Sequence, residues 1–299
     1  MRTRRTWVDI LGPVFGVLAA ALTVYALVYL LWIEPFYRGE SYRAFSSERR
    51  GFFMGADWES QEVTETVEGT FSKLEIKNIS GPILVEGWSQ DYVQVHYIKQ
   101  ARSSKYLEEF EIEIEPRGNL LSIRPLYRKI PGSPFGSVSF DLKIPSSVKE
   151  IRANSISGTI ELSGIKSGVD QVLETVSGRI ETERSADLRA KSISGSIEFV
   201  SEGGRKLDIG STSGRVQGQI LSLDPSASVE IGTISGGVDL EIFSGLNAAL
   251  KLQSVSGSIS CDFPVQITEQ KINKLEGTVG NGSIPFEVKT VSGRITLSQ

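Results

Sequence analysis

From about residue 63 the chain alternates apolar and polar positions with a period of two. Leu74-x-Ile76, Val93-x-Val95-x-Tyr97, Phe110-x-Ile112-x-Ile114 and Val138-x-Phe140-x-Leu142-x-Ile144 all follow it. This is the pattern of half-buried strands, and Pro145 closes the first β region. Only Ser103 to Phe110 predicts a helical turn. Beyond residue 150 the alternation is organised around a recurring Ser-Gly dipeptide, whose glycines are Gly158, Gly178, Gly195, Gly214, Gly236, Gly257 and Gly293, with an outlying copy at Gly81. From Gly158 to Gly257 they stand 20, 17, 19, 22 and 21 residues apart. A period in that range signals stacked supersecondary units.

Relative to each glycine, apolar residues fall seven and five positions before it, as in Leu188 and Ala190, Leu207 and Ile209, or Phe286 and Val288. They fall again two before, two after and four after, as in Ile156, Ile160 and Leu162. The inward parity therefore flips between the fifth and second positions before glycine. A strand alternates strictly, so a bend or bulge is predicted at the Ser, Thr or Asn in the third position before it. A β-hairpin turning at Ser-Gly would set Val176 opposite Arg179 and Ile193 opposite Ser196, pairing apolar with polar on one face in every repeat. The pattern therefore predicts an all-β, right-handed parallel β-solenoid of about 17–22-residue coils, with the glycines inward and like residues stacked on like. Gly280-Asn281-Gly282-Ser283 breaks the period and reads as a tight loop or terminal cap.

The segment before residue 63 is different in kind. Residues 10–33 carry no charge and would span about 36 Å as a helix, enough to cross a ~30 Å hydrocarbon core. The stretch is too long for a signal-peptide apolar core, so an uncleaved single-pass signal anchor is expected, with membrane lipid as its partner. Arg2, Arg4 and Arg5 precede it, whereas the arginines that follow are mixed with Glu34, Glu40 and Glu48. The expected orientation leaves residues 1–9 as a cytoplasmic stub and the C-terminal domain extracytoplasmic. Residues 34–62 read as a juxtamembrane linker, either lying on the bilayer or serving as a tether. Residues 63–150 form the opening part of the solenoid and 151–299 the repeat itself.

Composition limits the chemistry. The net charge is -4 and no basic run follows the extreme N-terminus, so no nucleic-acid partner is expected. The single cysteine, Cys261, permits no internal disulfide and reads as a core residue by its parity with Ile259 and Phe263. The single histidine, His96, lies outward in the first β region, apart from the serines of the repeat. No catalytic set, metal set or cofactor is legible, and the chain is not expected to be an enzyme.

One outward column stands out. Three positions after the glycine come Glu161, Glu181, Glu198, Gln217 and Asp239, with Arg179 and Arg215 two positions earlier in their repeats. At a coil spacing of about 4.8 Å, adjacent carboxylates repel by roughly 0.8 kcal/mol even in water. The arginines or a bound divalent cation would offset this. The column reads as a solvated mixed-charge face, with a cation or ligand strip as the alternative.

The run of S/T-[VI]-S-G-x-[IV] copies resembles the bacterial putative-adhesin family, a domain family of unknown function. So do the opening Lys73-Leu74-Glu75-Ile76-Lys77-Asn78-Ile79-Ser80-Gly81-Pro82-Ile83, the Gly280-Asn281-Gly282-Ser283 turn and the closing Thr290-Val291-Ser292-Gly293-Arg294-Ile295. The resemblance covers roughly residues 63–299. It implies a β-solenoid protein of the bacterial cell envelope, often membrane-attached and sometimes encoded with stress-response systems, and it supplies no catalytic residues. The expected function is a non-enzymatic adhesion or scaffold surface with an unknown protein or glycan partner. A regulatory envelope component acting through a partner membrane protein is the alternative, and a glycan-active enzyme the remote one.

Overall fold

The computed structural model describes residues 58–127 and 136–299. The apolar segment 10–33, the stub before it and most of the linker lie outside the described residues. Among those described, no helix is long and apolar enough to cross a membrane.

Two ladders of short parallel strands run side by side, and the chain passes from the first to the second at each Ser-Gly. Nine coils lie in the described residues, and all but coil 2 cross at a Ser-Gly. In chain order they begin with coil 1, Lys73–Ser80 and Ile83–Gly87; coil 2, Leu120–Tyr127 and Ser137–Ile144; and coil 3, Glu150–Ser157 and Ile160–Ser163. Coil 4 is Asp170–Ser177 and Ile180–Ser185, and coil 5 is Leu188–Ser194 with the start of the long strand Ile197–Ser213. Coil 6 joins the end of that strand to the start of Val216–Ser235, and coil 7 joins the end of Val216–Ser235 to Val238–Ile242. Coil 8 is Ala248–Ser256 and Ile259–Cys261, and coil 9 is Ile284–Ser292 and Ile295–Ser298.

The spatial order departs from the chain order at both ends. Coil 1 pairs in parallel with coil 2 on one side and coil 3 on the other, in both ladders. Coils 3 to 7 then follow in sequence. Coil 9 is inserted between coils 7 and 8, so the order is 2-1-3-4-5-6-7-9-8. The Gly280 to Ser283 turn is thus no terminal cap. It carries the last coil into the interior of the stack, and antiparallel strands cover both ladders at the coil 2 end and the first ladder at the coil 8 end.

At the coil 2 end, Phe110–Arg117 lies on the first ladder, and Val93–Ala101 then Glu59–Val67 lie on the second. Glu59–Val67 reaches back into the stretch read as linker. The predicted helical turn is a helix over Ser104–Glu109. At the coil 8 end, the hairpin Gln266–Lys271 and Lys274–Val279 covers the first ladder. Glutamates and Pro116 on Phe110–Arg117, and the charges on Glu59–Val67 and Gln266–Lys271, discourage edge-to-edge pairing at those strands.

The core follows the predicted columns. Leu188, Ala190, Leu207, Ile209, Val229, Ile231, Leu250, Leu252, Phe286 and Val288 are buried, as are Ile160, Leu162, Ile197 and Phe199 beyond the glycine. Each such Val, Leu, Ile or Phe side chain contributes about 1.5–3 kcal/mol that an isolated coil could not gain. Packing is matched between coils. Phe199 stands opposite Gly218, where an added Cβ would lie 2.2 Å from its ring.

The bend, however, lies at Ser-Gly and not three residues earlier. Parity is unbroken up to the serine, so the residue three before glycine faces inward and the apolar residue two before it faces outward. Ser155, Thr175, Ser192, Ser211, Thr233, Ser254 and Thr290 are buried, whereas Ile156, Val176, Ile193, Ile234 and Val291 are half-buried and Val255 is 49% exposed. Cys261 is also half-buried, on an edge strand rather than in the core, and burial raises its thiol pKa.

From coil 5 onward the inward hydroxyls have a specific task, while those of Ser155 and Thr175 are buried without a hydrogen-bond partner. Ser211 donates to the Gly195 carbonyl at 3.1 Å, Thr233 to Gly214 at 3.2 Å, Thr290 to Gly236 at 3.2 Å and Ser254 to Gly293 at 3.2 Å. In coil 1 the position is Asn78, whose amide spans two carbonyls, Gly81 at 3.0 Å and Val138 at 2.7 Å. Those carbonyls point into the neighbouring coil, at the place where its glycine would carry a Cβ. A Cβ on Gly158 would lie 2.1 Å from the Gly81 oxygen, one on Gly178 2.0 Å from Gly158, one on Gly195 1.8 Å from Gly178 and one on Gly214 2.1 Å from Gly195. The series ends with Gly236 on Gly214, Gly293 on Gly236 and Gly257 on Gly293, at 2.1, 1.9 and 1.8 Å.

Gly195→Ala should therefore destabilise the fold by about 1–3 kcal/mol or more, since the obstacle is backbone and cannot rotate away. Gly232→Ala, whose Cβ would meet only the Lys289 oxygen at 3.6 Å, should change stability by no more than about 0.5 kcal/mol. Urea midpoints at constant slope measure both.

Candidate functional site

Because the ladders keep like residues in register, each outward position of a coil becomes a row along the molecule. On the second ladder, the position three after glycine places Glu161 beside Glu181, Glu181 beside Glu198, Glu198 beside Gln217 and Gln217 beside Asp239. The same row continues through Leu84 to Asp141 and His96 at the coil 2 end, and through Thr296 at the other. His96 takes no part in a nucleophile set there. Its Nδ1 is 2.9 Å from the Thr64 hydroxyl, and its Nε2 is 3.6 Å from Glu62.

The six outward residues singled out in the sequence come together on this face. Arg179 reaches across the coil spacing to Glu198 at 2.5 Å and lies 3.2 Å from Glu181. The hydrogen bond to Glu198, with the charges of Glu181 and Glu161, raises the guanidinium pKa further above its usual value. Arg215 lies 3.7 Å from Asp239. A second row, five after the glycine, runs parallel to the first: Val200, Gln219, Glu241 and Ser298 are in register. Glu183 is the corresponding residue of coil 4, and its carboxylate accepts the Gly164 N–H at 3.1 Å. Gln219 donates to Glu241 at 2.9 Å. These second-row acids share the outward parity of the first row, so the same count from glycine would have found them.

Between the rows is an open groove of about 410 Å³, bordered by Glu181, Glu183, Glu198, Asp239 and Glu241. Six carboxylates including Glu161 share this face with Arg179 and Arg215, and with Arg294 at the same position of coil 9. The outer face of the first ladder is composed differently. There Lys73 pairs with Glu150 at 2.8 Å, Arg189 with Glu174 at 3.3 Å, Lys251 and Lys289 with Glu287 at 2.9 and 2.8 Å, and Lys191 with Asp208. One face neutralises itself and the other keeps a negative surplus. The carboxylates lie along a line rather than around a point, and among the described residues no three His, Cys, Asp or Glu side chains are grouped to hold a metal ion. The serines of the repeat, from Ser157 to Ser292, stack in register as an exposed ridge between the two ladders.

The profile of the Toastrack DUF4097 family matches residues 47–298. Among solved structures, a putative cell adhesion protein from Clostridium sporogenes is similar over 81% of this chain and 100% of its own, with a TM-score of 0.38 and 11% identity. A putative adhesin from Bacteroides fragilis aligns with 79% of this chain and 96% of its own, at a TM-score of 0.38 and 13% identity. One from Parabacteroides distasonis aligns with 81% and 97%, at 0.34 and 11%. No curated protein matches the chain.

Replacing Arg179 by Ala should leave Glu161, Glu181 and Glu198 in uncompensated contact. The expected cost is about 0.2–1 kcal/mol at low ionic strength, shrinking toward zero at about 1 M salt, as thermal midpoints across a salt series would report.

Proposed function

The chain belongs to the Toastrack DUF4097 family, and from that premise we propose that it works without chemistry of its own, as a rigid adhesion or scaffold surface. Its working face is the acidic outer side of the second ladder, including Glu161, Arg179, Glu181, Glu198, Arg215 and Asp239. The observation that carries this reading is the fixed row of Glu161, Glu181, Glu198, Gln217 and Asp239 in register from coil 3 to coil 7, whose carboxylates are undercompensated on a molecule whose opposite face is self-paired. Such a row presents charge at a repeat of about 4.8 Å on a surface held by backbone hydrogen bonds, so a partner gains from many weak contacts without ordering the surface first. The negative surplus suits a protein partner bearing lysine and arginine more than a neutral glycan. The uncharged stretch 10–33 supports a single-pass anchor, which would hold this surface outside the cytoplasm at the cell membrane.

Cells displaying the full chain should adhere to a surface coated with a lysine-rich protein, and adhesion should fall steeply as salt rises from about 0.05 to about 0.5 M. The combined variant E161Q/E181Q/E198Q should lose most of that adhesion while keeping its thermal midpoint. Equal adhesion by the variant would sink the reading, and loss of a glycan-cleaving activity in the variant would replace it with an enzymatic one. Protection of a C-terminal tag from protease in intact cells would contradict the outside placement.

A further inference from the structure

Everything N-terminal to the described fold joins it through the strand Glu59–Val67. This strand is the outermost of the second ladder. Among the described residues its one ladder neighbour is Val93–Ala101, which it meets from Glu59 opposite Ala101 to Val67 opposite Val93. Its inward face is thinly apolar: Val63 shares its parity with Glu59, Gln61, Glu65 and Val67, and Val63 alone of the nine residues is buried. On the neighbouring strand Val93, Val95, Tyr97 and Ala101 are all buried. Elements with few buried apolar contacts open locally, well before the fold as a whole.

A few side chains add to the backbone pairing. The Tyr97 hydroxyl donates to Glu65 at 3.1 Å, the Thr64 hydroxyl is 2.9 Å from His96 Nδ1, and the Arg102 guanidinium lies 5.9 Å over the Trp58 ring. Beyond Val67 come an exposed link and then a firm stop. Glu68, Gly69 and Thr70 are exposed, whereas Phe71 is 3% exposed. The Ser72 and Lys73 N–H groups both donate to the Asn119 carbonyl, at 2.9 and 3.0 Å, and the Ser72 carbonyl accepts the Lys149 and Glu150 N–H groups at 2.8 and 3.1 Å.

Glu59 is the end of the strand at which a pull from the N-terminal side arrives. Tension directed away from the coil 2 end acts across the strand, so its pairs break one after another from Glu59 rather than together. Forced opening is governed by the barrier to be crossed, and a row of single pairs offers small ones. The same tension reaches the solenoid only through Phe71 and through Lys73–Ser80, which has ladder neighbours on both sides. The last coil, Ile284–Ser292 and Ile295–Ser298, is likewise paired on both sides.

We propose that Glu59–Val67 is a mechanical strap. Under tension it peels from Val93–Ala101 as far as Phe71 and re-forms when the tension falls, so the chain lengthens while the coils and their outward rows stay in register. The use of such a strap rests on the adhesion reading, because only an attached surface is pulled. The peeling itself needs no ligand, so it can be measured whatever the acidic face binds. Residues 59–70 set its limit, since twelve residues span at most about 40 Å.

The test stretches the full chain, in detergent, between tags at its two termini under slowly rising force. A reversible lengthening of no more than about 40 Å should precede rupture of the solenoid. Ser60→Cys with Gln100→Cys, directly opposed residues, in a Cys261→Ser background should form a disulfide that removes this step, and reductant should restore it. Val63→Ala should shift the step to lower force and leave the later rupture where it was. A step that persists with the disulfide closed, no release before the solenoid ruptures, or equal weakening of both events by Val63→Ala overturns the proposal.

Discussion

A carbonyl oxygen occupies the place where each glycine of the stack would carry its Cβ. Along the column from Gly81 to Gly257 the distance from that place to the neighbouring coil's oxygen never exceeds 2.2 Å. No other residue type fits, and the fold repeats Ser-Gly for that reason. From coil 5 onward the same oxygen accepts the buried hydroxyl three residues before the neighbouring glycine, which offsets the cost of burying it, whereas Ser155 and Thr175 of coils 3 and 4 are buried without a partner. Bend, hydroxyl and glycine are one device, and it holds adjacent coils in register to within the length of a hydrogen bond.

Register then determines what the surface can do. Once like positions stack, a single outward residue type becomes a continuous row, and rows of opposite composition make faces of opposite character. On the first ladder lysines, arginines and acids alternate across coils and neutralise one another. On the second, the acids of coils 3, 4, 5 and 7 share one row, in which Arg179 pairs with Glu198 and Arg215 with Asp239. Where a coil does not turn back, as after Gly87, a cavity of about 310 Å³ is left between the corners of its neighbours. Face and cavity both follow from how coils are laid down rather than from any single residue.

Much of this was legible in the chain. The apolar positions seven and five before glycine, and two and four after it, locate the core correctly, and the clash of apolar with polar partners excludes the hairpin. The Glu161, Glu181 and Glu198 column is readable from spacing alone. The direction of Ile156, Val176 and Ile193 is not, because apolar side chains are ordinarily assigned inward, and here Ser and Thr take the inward place to meet a carbonyl that sequence does not display. The position of coil 9 is equally hidden. The 36 residues from Gly257 to Gly293 show that something intervenes, but pattern matching cannot distinguish stacking on coil 8 from insertion between coils 7 and 8, since every coil offers the same columns. The open corner beside Trp88 depends on the same kind of order, at the other end.

The inserted last coil is the sharpest consequence of the glycine column, and cysteine cross-linking tests it directly. Glu287 is in register with Glu230 on one side and with Lys251 on the other, which leaves Glu230 and Lys251 two spacings apart. In a C261S background, the pairs E230C/E287C and K251C/E287C should oxidise to disulfides, while E230C/K251C, with Cα atoms more than about 7 Å apart, should not. Ready cross-linking of E230C/K251C, with none between E230C and E287C, would place the coils in chain order and contradict the account.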